Sequence, residues 1–211
     1  MRHVPLHVDD RSRIYTVCRF IIVALLGSPY RLTVSGAQHV PASGPVLVAV
    51  SHKSNLDPLF AGVGLRRQMR FMAKVELFRV PLLGRLIKAL GAFPVERGAG
   101  DRAALETSLW VLAGGEPLLM FPEGHRNRDD EIHPFMPGVG MIALRSGATV
   151  IPAALTGTNR IMRNRRPGLP VVRLIIGAPV DLSGLEGRKS VVYAQAAERI
   201  RVAVRGLYER S

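Results

Sequence analysis

Short apolar runs recur along the chain at Val46–Val50, Arg70–Met72, Ala92–Val95, Leu118–Phe121, Val150–Ala153 and Val171–Ile176, each near glycine or proline, and each predicts a strand. Val46–Val50 holds no polar residue, the pattern of a strand buried on both faces. Between these runs, Leu59–Leu65, Pro81–Leu90, Asp101–Ala113, Val139–Ser146 and an amphipathic Ser190–Tyr208 predict helices. Asp101 suits the N-cap of the third helix and Gly114-Gly115 its end. Strands alternating with helices predict an α/β domain whose mixed, mainly parallel sheet is covered by helices. No repeat, low-complexity block or dividing linker interrupts the pattern.

The N-terminal thirty residues break it. Ile14 to Gly27 is largely apolar, but Arg19 interrupts it and the clean run, Phe20 to Leu26, is far shorter than the ~20 residues a membrane span requires. There is no small-residue cleavage site of signal-peptide type. The segment therefore predicts a helix lying in a membrane interface, with Arg11, Arg13, Arg19 and Arg31 available to lipid phosphates; an ordinary core-packing helix is the competing reading. The expected division is residues 1–30 as a membrane-associating segment and 31–211 as the α/β domain.

Composition narrows the partners. The 211 residues carry a formal net charge of +13, so the surface draws anions, with nucleic acid and anionic lipid as the obvious classes. Only 6% of residues are aromatic and none interleave with a basic stretch, which argues against a base-stacking surface. The 47% hydrophobic content and a mean hydropathy of +0.17 favour a membrane. No acidic residue occurs between Ile132 and Val180, and the basic loop Arg160–Arg166 is a second candidate for lipid contact. Cys18 stands alone, so no internal disulfide can form, and it reads as a small buried hydrophobe.

The candidate chemistry sits where apolar runs end, the usual place for sites in α/β proteins. His52 and Asp57 follow the first run, in Ser51-His52-Lys53-Ser54-Asn55-Leu56-Asp57-Pro58. Five positions on a helix separate two side chains by more than a face, since each residue advances ~100°. The two can meet only if a loop joins them, and Pro58 fits the first turn of a helix beginning there. Asp57 could alternatively be a plain helix N-cap. A histidine oriented by a carboxylate can take a proton from a hydroxyl at neutral pH. Ser51 and Ser54 lack the nucleophile-elbow pattern, so the hydroxyl would come from substrate. Arg97, after Ala92–Val95, and Arg126, after Phe121-Pro122-Glu123-Gly124, offer forks for a phosphate, with Lys74 as a third cation. Glu123 could bind ligand or hold Arg97 or Arg126, while Pro122 and Gly124 suggest a fixed backbone at a strand end. His125, Asp129, Asp130, Glu131 and His133 match no metal-ligand spacing, and no phosphate-binding glycine motif is present.

In order and spacing these segments resemble the glycerolipid acyltransferase family, of the 1-acylglycerol-3-phosphate acyltransferase type. The family's H-x4-D is matched by His52 and Asp57, its G-x-(I/F)-x-(V/I)-x-R by Gly91, Phe93, Val95 and Arg97, and its F-P-E-G-x-R by Phe121 to Arg126. Its V-I-P segment is matched by Val150-Ile151-Pro152, and Lys74-Val75-Glu76-Leu77 looks like its K-x-E-L. The resemblance covers about residues 30–180. It implies that His52, oriented by Asp57, deprotonates a lysophospholipid hydroxyl, which attacks the thioester of acyl-CoA or acyl carrier protein. No acyl-enzyme or other cofactor is implied. Lys74, Arg97, Glu123, Gly124 and Arg126 would bind the acceptor's glycerol phosphate, and Pro152 would belong to the acyl-donor side. The implied setting is the cytoplasmic face of an anionic phospholipid membrane, with no nucleic-acid partner and no metal.

His125 and Asn127 depart from the threonine and serine usual in the third motif, and the lysine that often precedes the later glycine is missing from Pro134–Gly138. These departures bear on the acceptor headgroup, leaving another lysolipid or hydroxylated lipid as an alternative acceptor. A catalytically silent basic membrane-binding protein is the alternative of another class.

Overall fold

The computed structural model describes residues 13–65, 67–95, 102–127, 129–163 and 166–210. Arg11, Arg97 and Asp101 therefore lie outside the described residues, as does the side chain of Arg13. The chain begins with α1 (Arg13–Ile22), which continues as a wider π-helical turn, Val23–Gly27. Strands β1 (Thr33–Ser35) and β2 (Val46–Val50) follow, then α2 (Asp57–Gly64), β3 (Arg70–Lys74), the single turn α3 (Val75–Phe78), α4 (Pro81–Ala89) and β4 (Ala92–Val95). The second half runs α5 (Arg102–Ala113), β5 (Pro117–Met120), α6 (Pro137–Ser146), β6 (Thr149–Thr156), a small hairpin of β7 (Met162–Arg163) and β8 (Arg166–Pro167), β9 (Arg173–Ile176) and α7 (Lys189–Glu209).

Seven strands form one sheet in the order β1-β9-β6-β2-β5-β3-β4. Every pairing is parallel except β6 with β9. β2 lies in the middle, its backbone paired on both edges, and all five of its residues are buried. Its alternate side chains feed two cores. Val46, Val48 and Val50 join the layer that holds Phe60 of α2 and Ile87 of α4, and Leu47 and Ala49 join the layer holding Val111 of α5, Ile142 of α6 and Ile200 of α7.

This order creates a switch point. From β2 the chain leaves through α2 on one face; from β5, the neighbouring strand, it leaves through α6 on the other and returns as β6 on the far side of β2. The two departing loops diverge at the carboxyl ends of adjacent strands, and the crevice between them is where open α/β sheets hold ligands.

α1 turns out to have two faces. Ile22 is buried, Tyr15, Cys18 and Leu26 pack against the same core as α2, and Arg19 donates from its guanidinium to the Val63 carbonyl at 2.9 Å. Val17, Phe20, Ile21 and Leu25 point outward. One side of the helix thus packs into the core as the competing reading expected, the other leaves apolar side chains exposed, and Arg19 is directed at the end of α2, where a cation suits the helix dipole. No helix among the described residues is long and apolar enough to cross a membrane.

α6 and α7 approach closely because Gly140 has no side chain. A methyl there would stand 2.1 Å from the Tyr193 carbonyl oxygen and 2.9 Å from the Ala197 nitrogen. We expect Gly140→Ala to force the helices apart and lower unfolding stability by about 1–3 kcal/mol in chemical denaturation. An unchanged midpoint would mean that α7 can slide without cost.

Candidate active site

The loop after β2 is shaped by one carboxylate oxygen. Asp57 Oδ2 accepts from the backbone N–H of Lys53 at 2.5 Å, from that of Ser54 at 2.7 Å, and lies 2.9 Å from His52 Nδ1. Asp57 opens α2 but its carboxylate reaches back to the residues before it, so it does not act as an ordinary N-cap. Its side chain is fully buried, and Oδ1 has no hydrogen-bond partner. An ionised carboxylate only accepts, so His52 carries its proton on Nδ1 and keeps a lone pair on Nε2. The imidazole stacks on Phe121, with centroids 4.2 Å apart and 26° between planes, and its side chain retains 10% exposure. The ring is thus held by Asp57 on one side and by Phe121 across its face.

The second loop, after β5, is clamped onto the first. Glu123 is buried and its Oε1 accepts the His52 N–H at 2.9 Å, while Oε2 accepts from Asn127 Nδ2 at 2.7 Å and from the His133 N–H at 3.3 Å. The Asn127 N–H donates to the His52 carbonyl at 3.0 Å, completing a two-way backbone link. Glu123 therefore organises the loops, and its described partners include neither Arg126 nor a carboxylate-binding surface. Gly124 adopts φ 73°, and a side chain there would collide with Met136 Sδ at 2.6 Å.

Lys53 is the residue that sequence reasoning missed. Its side chain is 1% exposed. Nζ donates to the Glu131 carbonyl, lies 3.6 Å from Asp129 and 3.9 Å from Glu123 Oε2, and sits 5.6 Å over the ring of Tyr208 from α7. Burial, with Asp130 beside it, pushes the Tyr208 phenol upward, so a neutral ring faces the ammonium. A hydrogen bond from His133 holds Asp129 below the usual carboxylate range, keeping it anionic toward Lys53. Nothing in the sequence distinguishes this lysine from a surface one; only the inward turn of the loop buries it.

The other candidates divide. Lys74 is exposed at the end of β3 and Arg126 is exposed in the loop after β5, so both border the crevice at the same sheet end as His52. Arg97, two residues beyond β4, lies outside the described residues. Pro152 lies inside the sheet. It is buried within β6 opposite Ala49, and its neighbours Ile151 and Ala153 join the α2 layer, so Pro152 faces the other way, near Gly177 and Leu207. The apolar cleft of the molecule lies elsewhere, lined by Tyr15, Ile22, Pro58, Leu59, Met69 and Leu90 on the α1–α2 side. Ser51 is likewise occupied, exchanging hydrogen bonds with the Leu155 N–H and carbonyl across the sheet. No cluster of metal-ligating side chains occurs among the described residues.

Comparison with known proteins places this geometry. The 1-acyl-sn-glycerol-3-phosphate acyltransferase of Bacillus subtilis is 30% identical over 167 residues, covering 79% of this chain and 82% of that one. The enzyme of that name from Streptococcus pneumoniae is 27% identical over 217 residues, covering 97% of this chain and 76% of its own. A chloroplastic one from Arabidopsis thaliana is 29% identical over 72% of this chain, which spans only 44% of the plant protein's length. The crystal structure of the 1-acyl-sn-glycerophosphate acyltransferase PlsC from Thermotoga maritima superposes with a TM-score of 0.72 at 25% identity, over 97% of this chain and 84% of that one. The acyltransferase family model matches residues 31–156, more than half of the sequence and the whole stretch from before His52 to the end of β6, and the chain belongs to that family.

Proposed function

We propose that the protein transfers a fatty acyl group from the thioester of acyl-CoA or acyl carrier protein to the free hydroxyl of a 1-acylglycerol-3-phosphate, yielding phosphatidic acid. The observation that carries this reading is the His52–Asp57 pair: an imidazole fixed at Nδ1 and free at Nε2 at the mouth of a crevice. Nε2 takes the acceptor's hydroxyl proton as its oxygen attacks the thioester carbonyl. The tetrahedral intermediate then expels the thiolate, which recovers that proton from the imidazolium and leaves as thiol. Asp57 remains ionised and stabilises the imidazolium while it exists. The names of the relatives support the choice of acceptor and product.

The carboxyl ends of β2, β5, β3 and β4 stand side by side, so His52, Arg126 and Lys74 follow one edge of the sheet. Three strand spacings of ~4.8 Å span about 14 Å. A glycerol phosphate covers less than half of that length, so with its hydroxyl at His52 its anion is assigned to cations whose long side chains reach back along the edge, Lys74 and Arg97. Gly124 lets the β5 loop lie close to such a ligand. The apolar cleft begins at Pro58, immediately after the acid of the pair, and we assign the acyl chain to that side.

His52→Ala should lower thiol release from acyl-CoA with lysophosphatidic acid by about 10²–10⁴-fold, and Asp57→Asn should do so by at least ~10²-fold, without loss of fold. Wild-type turnover in His52→Ala would sink the general-base assignment. Arg97→Ala should raise KM for the phosphate-bearing acceptor with little change in kcat, which steady-state kinetics at varied acceptor would read. Lys53→Met should lower unfolding stability by about 3–5 kcal/mol, since Glu123 and Asp129 lose their buried counter-charge; equal denaturation curves would show the ammonium to be dispensable.

A further inference from the structure

We propose that α3, α4 and the turn between them form a second membrane-docking surface, beside α1, for a bilayer rich in anionic phospholipid. The inference stands apart from the acyl-transfer reading, because each of its tests is read without substrate.

α4 presents its apolar side to solvent. Gly84 and Ile87 turn inward, while Leu82 is 81% exposed and Leu83 and Leu86 are exposed as well. Leu77 of α3 and Val80 of the turn extend the same outward apolar set. Folded chains rarely leave such contiguous apolar surface to water without a partner. α4 contacts α1, whose Phe20 and Leu25 are exposed at 75% and 66%, so the two helices give neighbouring greasy surfaces.

Charge decides the occupant. From Lys74 to Lys88 the exposed ionisable residues are Lys74, Arg79, Arg85 and Lys88 against Glu76 alone. Among the described residues none of those four cations is in an ion pair, although the molecule pairs other cations, such as Arg70 with Glu116 and Arg201 with Glu198. Leucines bordered by one sign of charge repel the same face of a second copy and match an anionic headgroup layer above acyl chains. An acidic protein partner would find leucines, not cations, at the protruding centre. At nine residues α4 is too short to cross a membrane and suited to lying in its surface. Leu90, the residue after α4, lines the apolar cleft whose other wall is Tyr15, Arg19 and Ile22 of α1. A bilayer seated on both helices would therefore lie against the two sides of that cleft.

The test places a reporter at the protruding position. In the full chain, Trp110→Phe removes the native tryptophan, which is exposed on α5 across the sheet, and Leu82→Trp supplies a new one. With vesicles of phosphatidylcholine and phosphatidylglycerol, residue 82 should shift its emission to the blue and be quenched by brominated acyl chains. Leu82→Ser should weaken vesicle partition by about tenfold, and Arg79→Gln or Arg85→Gln by roughly fivefold on anionic vesicles only. Melting curves confirm that these exposed substitutions leave the fold intact. A chain that sediments with vesicles while residue 82 stays unshifted and unquenched would overturn the proposal. So would a response of residue 82 to an acidic carrier protein or to self-association in the absence of lipid.

Discussion

One carboxylate oxygen governs the site. Asp57 Oδ2 collects two backbone N–H groups and the imidazole, so a single acceptor sets the loop's path and the direction of the base. The backbone donors satisfy groups that a buried loop would otherwise leave unpaired, at a cost of about 1–3 kcal/mol each. The same charge fixes which ring nitrogen holds the proton. The loop's path and the orientation of the imidazole thus share one acceptor.

The second loop makes that arrangement rigid. Glu123 and Lys53 are opposite charges taken out of water, each approached by several polar groups, and neither is tolerable there without the others. Glu123 accepts from His52's own N–H, so the residue that carries the base is held by the third motif as well as by Asp57. The Tyr208 ring brings the last helix against Lys53, linking α7 to the chemistry although α7 contributes no side chain to the crevice. Both oxygens of the motif's glutamate are engaged with the two loops.

Much of this was readable from residue order. Each apolar run named as a strand lies in the sheet, and the argument that His52 and Asp57 need a loop between them holds, because periodicity and a proline are local signals. What escaped were elements without such a signal. β1 is a three-residue edge strand with every residue exposed, and its partner β9 lies far along the chain. α3 is a single turn. Lys53 and Asn127 look like ordinary polar loop residues until two loops, seventy residues apart, close over them. For Pro152 the motif marks a position in the sequence, and strand alternation adds that this position faces α7.

The sheet also explains why a basic, greasy exterior and a buried ion cluster can coexist in 211 residues. α1, α2 and α4 cover one face, and the apolar cleft opens among them; α5, α6 and α7 cover the other, and the two loops carrying Asp57 and Glu123 meet between. The helices on the first face have inner sides in the core, and α4 carries exposed leucines beside Arg85 and Lys88, which form no ion pair among the described residues. The second face shows the opposite economy, with cations such as Arg201 paired to carboxylates on the same helix. In the proposed acyl transfer, a chain leaves lipid and reaches His52 without exposing its length to water, at roughly 0.8 kcal/mol per methylene. Under that proposal the cost favours one orientation, with the cleft side turned to the bilayer and the paired, polar side turned to water.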